Sequence, residues 1–417
     1  MLGVNQLDFL NYTTAFKGNY RKGPHKLRAI LSTPTQAKEF CTNLGGVSVI
    51  FGVPLDRPDK NSEELLEILQ GSPYNDMAVE TWLHGFYDFD SLDTLLYDAA
   101  MCQALANDAA IFRAVGTSEV AVGKLLCGLA GLDPANYENI DAVAASDIAM
   151  VKVAASKSAM AAAVRSPIAT TTLVGSKIAM TALVASSVAM DTIAGSQAYM
   201  TVLAGNSAAM TIVAGSETAM ASVAKSKTAM TAVAASQTAM TAIGKSATAR
   251  SAVAASTTAM NAICASSMAT AKYATGAAGL DPSGYADMTA VAASSTAMAA
   301  VATSATARNA ITSSNVAKTA LASSPLKKTV TSSNGSYGTV VSGRCFIISV
   351  KNNNSGNTGA RNHYFRYVFS GSSTSTTTVN FSASYSEAAQ VNMFTDSSGI
   401  SYYNNDAIPG LITYIPC

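Results

Sequence analysis

Charge is scarce in this chain: 13% of its 417 residues are Asp, Glu, Lys or Arg, about half the share of an ordinary soluble domain. Lys and Arg outnumber Asp and Glu only 27 to 26. Without a basic excess to neutralise phosphates, a nucleic-acid partner is not expected. Long apolar runs are also missing, because Ser, Thr or Lys interrupts every stretch before it reaches the roughly 20 residues that cross a bilayer. No membrane insertion is expected. The opening MLGVNQLDFLNYTTAFKGNY has no basic flank before an apolar core, so no secretory signal is read there. Six scattered cysteines without a C-x-x-C pair point to reduced, structural thiols, not to a disulfide framework or a zinc site.

Catalytic signatures are absent as well. There is no phosphate-binding G-x-x-x-x-G-K-[ST], no G-x-G-x-x-G after a strand and no G-x-S-x-G elbow. The three histidines stand in separate contexts, and the C-terminal acids Glu387, Asp396 and Asp406, with His363, show no spacing of an acid/base pair. No enzyme activity, cofactor or metal is expected.

What the chain does have is one phrase repeated. In SETAMASVAKSKTAMTAVAASQTAM, residues 216 to 240, a Ser, an Ala-Met pair and a β-branched residue return every ten positions. The phase is strict through Met150, Met160, Met180 and on to Met260, with Thr170, Arg250 and Thr270 substituting. It then jumps by eight residues into a second register through Met288, Met298, Arg308, Lys318 and Lys328. The jump coincides with AAGLDPSGYADM (277 to 288), whose twin LAGLDPANYENI (129 to 140) opens the first array. A degenerate register runs back through Leu125, Val115, Leu105 and Leu95, with Ser118, Asp108, Asp98 and Asp88 at the Ser position. In each LDPxxY module (132–137 and 280–285), Asp133 or Asp281 reads as an N-cap before a first-turn proline, and Leu132/Tyr137 or Leu280/Tyr285 as a staple, so that a helix starts afresh.

The composition suits helix. In a straight helix, ten residues leave the Met stripe about 80° short of a full circle, so no fixed face forms. Two arrangements cope with this: an overwound multichain bundle, or short Ser-capped helices stacked as a solenoid. The solenoid is favoured by Pro167 and Pro325 directly after Ser, and by Gly175, Gly195, Gly205 and Gly215 at helix ends. The Met column reads as core filler in place of a soft-metal ladder, because cations replace it at Arg250 and Arg308.

The expected fold is therefore mixed: a small α+β head (1–87), a long all-α decapeptide-repeat array of stacked short helices (88–330), and a C-terminal antiparallel β-sandwich (331–417). In the head, GGVSVIFGVPL (45–55) reads as a buried strand, NSEELLEILQG (61–71) as a Ser-capped helix, and RKGPHK (21–26) as a solvated loop with a Gly-Pro turn. In the last domain, GTVVSGRCFIISVKN, NHYFRYVFSG, TTTVNFSASYS and GLITYIPC read as strands. Tyr364, Tyr367, Tyr402, Tyr403, Asn404 and Asp406 are the candidate surface-binding residues, rings for apolar sugar faces and amide or carboxylate groups for hydroxyls.

Decads written S-x-x-A-M-x-A-V-A-A, the LDPxxY punctuation and a Gly/Ser/Asn-rich β end resemble tail-fibre and related tail structural proteins of tailed bacteriophages. The resemblance covers about residues 140 to 330. It implies a virion protein made in the host cytoplasm, docked by one end to other tail or baseplate proteins, commonly a homotrimer, with a tip touching a host surface glycan or protein. A bacterial surface adhesin and a polysaccharide depolymerase are the alternatives.

Overall fold

The computed structural model describes residues 6–16, 22–52, 60–332, 337–356, 358–369, 378–404 and 408–417. These form a long array of short helices followed by nine antiparallel strands, a mixed fold. The chain divides into two compact units, Met1–Val202 and Leu203–Cys417. Among the described residues no single helix is long and apolar enough to cross a membrane.

Both units are built on the same decad geometry. A typical decad is a nine-residue helix closed by one extended residue, the Ser. Ser186, for example, has φ −105° and ψ 117° and separates Lys177–Ala185 from Ser187–Gly195. Its hydroxyl works in two directions. Ser186 Oγ accepts from the Ala189 N–H (3.2 Å), capping the helix it starts. The same hydroxyl donates to the Ala154 carbonyl (2.6 Å), thirty-two residues back, at the end of an earlier helix. One group thus satisfies an orphan donor and an orphan acceptor of two different helix ends. Ser176 on Ala144 (2.7 Å) repeats the bond in the first unit; Ser236 on Ala204 and Ser256 on Ala224, both 2.5 Å, repeat it in the second.

The extended Ser turns the chain. Pro167–Gly175 and Lys177–Ala185 meet at 96°. Each helix then packs on the third one before it: Lys177–Ala185 on Asp147–Ala155 in the first unit, Gln237–Lys245 on Ser207–Gly215 in the second. Three helices, each about 13 Å long, therefore make one turn of coil. Counting from the Ser, the third, fourth, seventh and eighth residues face inward, which is one helix face. Ala179, Met180, Leu183 and Val184 illustrate the set, all buried. From Met150 to Met240 the methionines of the column are fully enclosed, so they fill the coil axis. The phase problem of a straight helix disappears because no helix outlasts one decad.

Two details depart from expectation. Gly175, Gly195, Gly205 and Gly215 do end their helices, but none has positive φ and an added Cβ would meet nothing within 4 Å. The helix stops because the next residue is extended, so a left-handed glycine cap is not required and Ala185, Lys225 and Lys245 serve equally. In the degenerate register Asp98, Asp108 and Ser118 are N-caps. Asp88 is not, since the short helix Leu92–Leu95 is capped by Ser91 through a capping box.

The LDP modules also do something other than start a helix. Asp133 caps only a single 3-10 turn, Pro134–Asn136, and Asp281 only Pro282–Gly284. The next helices begin at Ile140 and Met288, capped by Asn139 and Asp287. Upstream, Gly131 (φ 69°) and Gly279 (φ 79°) are the left-handed residues, with Leu132 N–H reaching the Cys127 carbonyl and Leu280 N–H that of Thr275, both at 2.9 Å. The coil register survives. Ser166 bonds Gly116 and Ser314 bonds Cys264, each fifty residues back, after Ser156 and Ser304 bond Leu129 and Ala277 twenty-seven back; most other cap serines span thirty-two, so each module bulges out eighteen residues and rejoins the same ladder. A lysine ten residues before the proline ties each bulge down. Lys272 Nζ donates to the Pro282 carbonyl (2.8 Å), and Lys124 Nζ to those of Pro134 (3.2 Å) and Tyr137 (3.1 Å) and to Asp93.

The head, in the first unit, is helical throughout its described residues, which corrects the expected α+β mixture. GGVSVIF lies in the helix Leu44–Phe51, capped by Asn43, while residues 53–55 lie outside the described ones. Its buried side chains surround a short helix, packing against Phe40 and Trp82. The Gly-Pro pair opens the helix Gly23–Leu31, and the helix ending before Gly71 starts at Lys60, ahead of the serine expected to cap it. Head and array join through Ser118, whose hydroxyl caps its own helix and donates to Asp76 (2.6 Å) on the head helix Asn75–His84.

In the second unit the coil ends at Ser324, whose hydroxyl still donates to Ala292 (2.5 Å) although Pro325 leads into a strand. The strands are β1 Lys328–Ser332, β2 Gly338–Val341, β3 Cys345–Asn352, β4 Arg361–Arg366, β5 Val368–Phe369, β6 Val379–Ala383, β7 Ala389–Thr395, β8 Ile400–Asn404 and β9 Gly410–Pro416. Lys328, expected in the repeat column, instead begins β1. One sheet runs β1-β9-β3-β7-β5 and the other β2-β8-β4-β6, all pairs antiparallel. The five-stranded sheet is covered on both faces. Phe346, Ile348, Phe394 and Ile415 pack with Ile311, Ala317 and Leu321 of the last coil, whereas Ile347, Val350 and Ile412 pack with Phe365 and Tyr402 of the other sheet. Arg308 breaks the Met column at this junction, its guanidinium 3.9 Å from the Phe369 ring and bonded to the Ala302 carbonyl (2.8 Å). Among the described residues no layer covers the outer face of the four-stranded sheet.

Replacing Ser236 by Ala removes a cap and an inter-coil hydrogen bond, and is expected to cost about 2 kcal/mol in chemical denaturation. Ser236→Thr should retain most of that, and Ser236→Asp, which caps but cannot donate, about half. At Gly175, Gly195 and Gly215, Ala is expected to stabilise by roughly 0.5 kcal/mol each, read as an additive rise in melting temperature. A fall would restore the left-handed-cap reading.

Candidate functional site

The exposed sheet face is the candidate site, and strand alternation decides which side chains reach it. On β8, Tyr402 and Asn404 turn inward and are fully buried, while Tyr403 turns outward. Tyr402 and Asn404, expected as surface-binding residues, are therefore core residues. Asp406 lies outside the described residues. On β4, Tyr364 is half-buried and stands opposite Tyr403 in the strand register, the ring centroids 5.3 Å apart. Tyr337, just before β2, adds a third ring 5.0 Å from Tyr403. The three tyrosines form a row across β2, β8 and β4, about 10 Å from first ring to last by strand spacing, and Asn380 of β6 is the register partner of Tyr364 at the far end.

Arg366, also on β4, reaches across β8 and places its guanidinium 3.5 Å from the Tyr337 ring centroid. Its register partner Ser401, outward by alternation, is only 9% exposed, as expected of a small residue beneath that crossing. Among the described residues Arg366 forms no ion pair. Tyr337 and Arg366 were not singled out from sequence. Tyr337 lies beside a Gly/Ser/Asn segment without strand periodicity, and Arg366 belongs to the outward set 362, 364, 366 that the strand period of two makes recoverable.

Tyr367 is 43% exposed and has φ 58°, unusual for a residue with a Cβ. Its backbone marks the corner where the chain leaves one sheet at β4 and enters the other at β5, and its carbonyl accepts from the Asp396 N–H (3.0 Å). The strain serves the corner, and Tyr367 stands apart from the ring row in the strand order.

Beneath the row lies a buried polar cluster. His363 Nδ1 lies at hydrogen-bond distance from Tyr402 Oη (2.7 Å) and Asn404 Nδ2 (3.2 Å), while among the described residues Nε2 has no partner. Burial pushes the His363 pKa down to about 4 and that of Tyr402 up to about 12. A neutral imidazole held by a phenol is a structural device here. The described acids do not join it: Glu387 and Asp396 flank the two ends of β7, on the order of 25 Å apart along the strand, too far for a glycosidase pair. Among the described residues no three His, Cys, Asp or Glu converge as metal ligands. The six cysteines are free, and burial raises every thiol, to about 12 at Cys41, Cys102 and Cys127 and about 11 at Cys264 and Cys345.

No protein-family model matches the chain, and neither does any curated protein sequence.

His363 binds a proton more weakly folded than unfolded, so its contribution to stability is complete above pH 6.5 and is lost as pH falls towards 4. The loss is expected to be about 3 kcal/mol. Denaturation midpoints measured between pH 7 and 4 should show this slope, and His363→Gln should remove it; an unchanged slope in the variant would place the titration elsewhere.

Proposed function

We propose that the chain is a virion structural protein, a tail-fibre-like component of a tailed bacteriophage. The helical head docks to another tail or baseplate protein, the decad array sets distance, and the outer sheet face of the sandwich contacts the host surface. The observation that carries this reading is the fate of the repeat's polar and soft groups. The cap serines spend their hydroxyls on helix ends, and the methionines of the column fill the coil axis. A repeat that uses its own chemistry internally is suited to spacing, and it lengthens by whole decads through nearest-neighbour stacking. A solenoid needs capped ends, and in each unit a flanking domain packs on the coil: the head through Ser118 and Asp76, the sandwich through its five-stranded sheet.

The coil core is filled from within one chain, so homo-oligomerisation, with a trimer favoured by the resemblance to tail fibres, belongs to the flanking domains. The partly exposed row of Tyr337, Tyr403 and Tyr364 supports a surface-binding role for the sandwich. An adhesin would use the same parts but would reside in a cell envelope.

Full-length chain carrying an epitope tag, produced during lytic growth, is expected to co-sediment with tailed particles and to label on the tail by immunogold. Recovery in the cell envelope would favour the adhesin, and recovery only as free protein beside intact particles would overturn the virion reading.

A further inference from the structure

Among the described residues the row of rings carries a cation at one end and no anion, and that asymmetry points to a ligand. We propose that the outer face of the four-stranded sheet binds an acidic glycan, with sugar faces on Tyr337, Tyr403 and Tyr364 and a sugar carboxylate on Arg366. The proposal deepens the surface-contact reading and rests on it.

Three observations support it. The rings are neighbours at 5.0 and 5.3 Å across adjacent strands, with interplanar angles of 43° and 33°, so they form a gently tilted strip in place of an edge-to-face core cluster. Each ring is partly exposed, so the strip offers aromatic surface to the C–H faces of linked pyranose rings, and aromatic side chains with polar tips suit a surface that is wet on one side. Arg366 is held in place before any ligand arrives, stacked on Tyr337 at 3.5 Å and passing over Ser401. Its planar fork keeps donors in the ring plane for a bidentate carboxylate while its face rests on the phenol. Among the described residues no carboxylate pairs with that charge: none of β2, β4, β6 or β8 contains an acidic residue, and Glu387 and Asp396 flank a strand of the other sheet. At the opposite end Asn380, exposed beside Tyr364, supplies amide groups for sugar hydroxyls. A neutral glycan would leave Arg366 without a partner, whereas a uronic or other acidic sugar supplies one.

The test uses the full chain and two probes, an alginate hexasaccharide as oligouronate and cellohexaose as neutral counterpart, followed by saturation-transfer NMR and by titration of tyrosine fluorescence at 150 mM salt. The oligouronate is expected to bind about tenfold more tightly, a difference of about 1.4 kcal/mol. Arg366→Gln should abolish the preference while leaving weak binding of both probes. Arg366→Lys should lose most of it, since a point charge lacks the fork. Tyr403→Ala, which removes the central ring, should abolish binding of both, with the melting temperature confirming an intact sandwich. Lys351→Gln, a charge removed from the five-stranded sheet, should change nothing. Equal affinity for the two probes, or an equal effect of Lys351→Gln and Arg366→Gln, overturns the acidic specificity but leaves a sugar-binding face. Binding of neither probe overturns the glycan proposal altogether, while particle association, measured separately, still decides the virion reading.

Discussion

The fold depends on a hydroxyl that donates and accepts at once. Ending a helix every tenth residue leaves unpaired N–H groups at each start and unpaired carbonyls at each end, and an array of short helices is stable only if both are answered. The cap serine answers one of each. It ties its own helix start to a carbonyl thirty-two residues earlier, as Ser186 does with Ala189 and Ala154. Aspartate caps as well but cannot donate, and it stands as a cap outside the strict decads: at Asp98 and Asp108 in the degenerate register, and at Asp133, Asp281 and Asp287 in the LDP modules. Asn206, which carries both an acceptor and a donor, is the tolerated variant inside the strict array.

Packing follows from that bond. Because the coil repeats after three helices, like residues stack on like, and the third position is buried throughout, Ala in most decads and Tyr199 in one. Met and a branched residue fill what remains of the axis, and the more exposed first, second, fifth and ninth positions take Lys, Gln or Thr, as at Lys177, Gln197, Thr181 and Lys225. The same logic explains where the pattern is broken. Arg308 replaces Met where the coil meets the sandwich and a ring, Phe369, is available to cover a guanidinium. Arg165 does the corresponding work in the first unit, 4.1 Å over Phe112 and bonded to the Ala106 carbonyl at 2.7 Å.

Much of the architecture was legible because ten-residue periodicity, Ser caps and first-turn prolines carry direct physical meaning. The stacked short helices and the sandwich could be read; the LDP modules were found but misassigned. Their work is shared between Lys124 and Lys272, ten places upstream of the proline, and the left-handed Gly131 and Gly279 within the phrase. Comparing the twins over a longer window, GKLLCGLAGLDP with AKYATGAAGLDP, would have exposed both. The strand expected in the head failed because β-branched residues in a short apolar run fit a fully buried helix as well as a strand. In the candidate site, choosing residues by type placed Tyr402 and Tyr403 together, although adjacent strand residues must face opposite sides. Arg366 was overlooked because its role comes from a ring two strands away.

Amide hydrogen exchange along the array tests the central claim most directly. If each serine hydroxyl closes its helix start, the amides that donate to it, such as those of Ala189 and Ala239, should exchange about as slowly as the mid-helix amides of the same decads. Fast exchange recurring at every tenth residue, at those alanines, would show open helix starts and contradict the account.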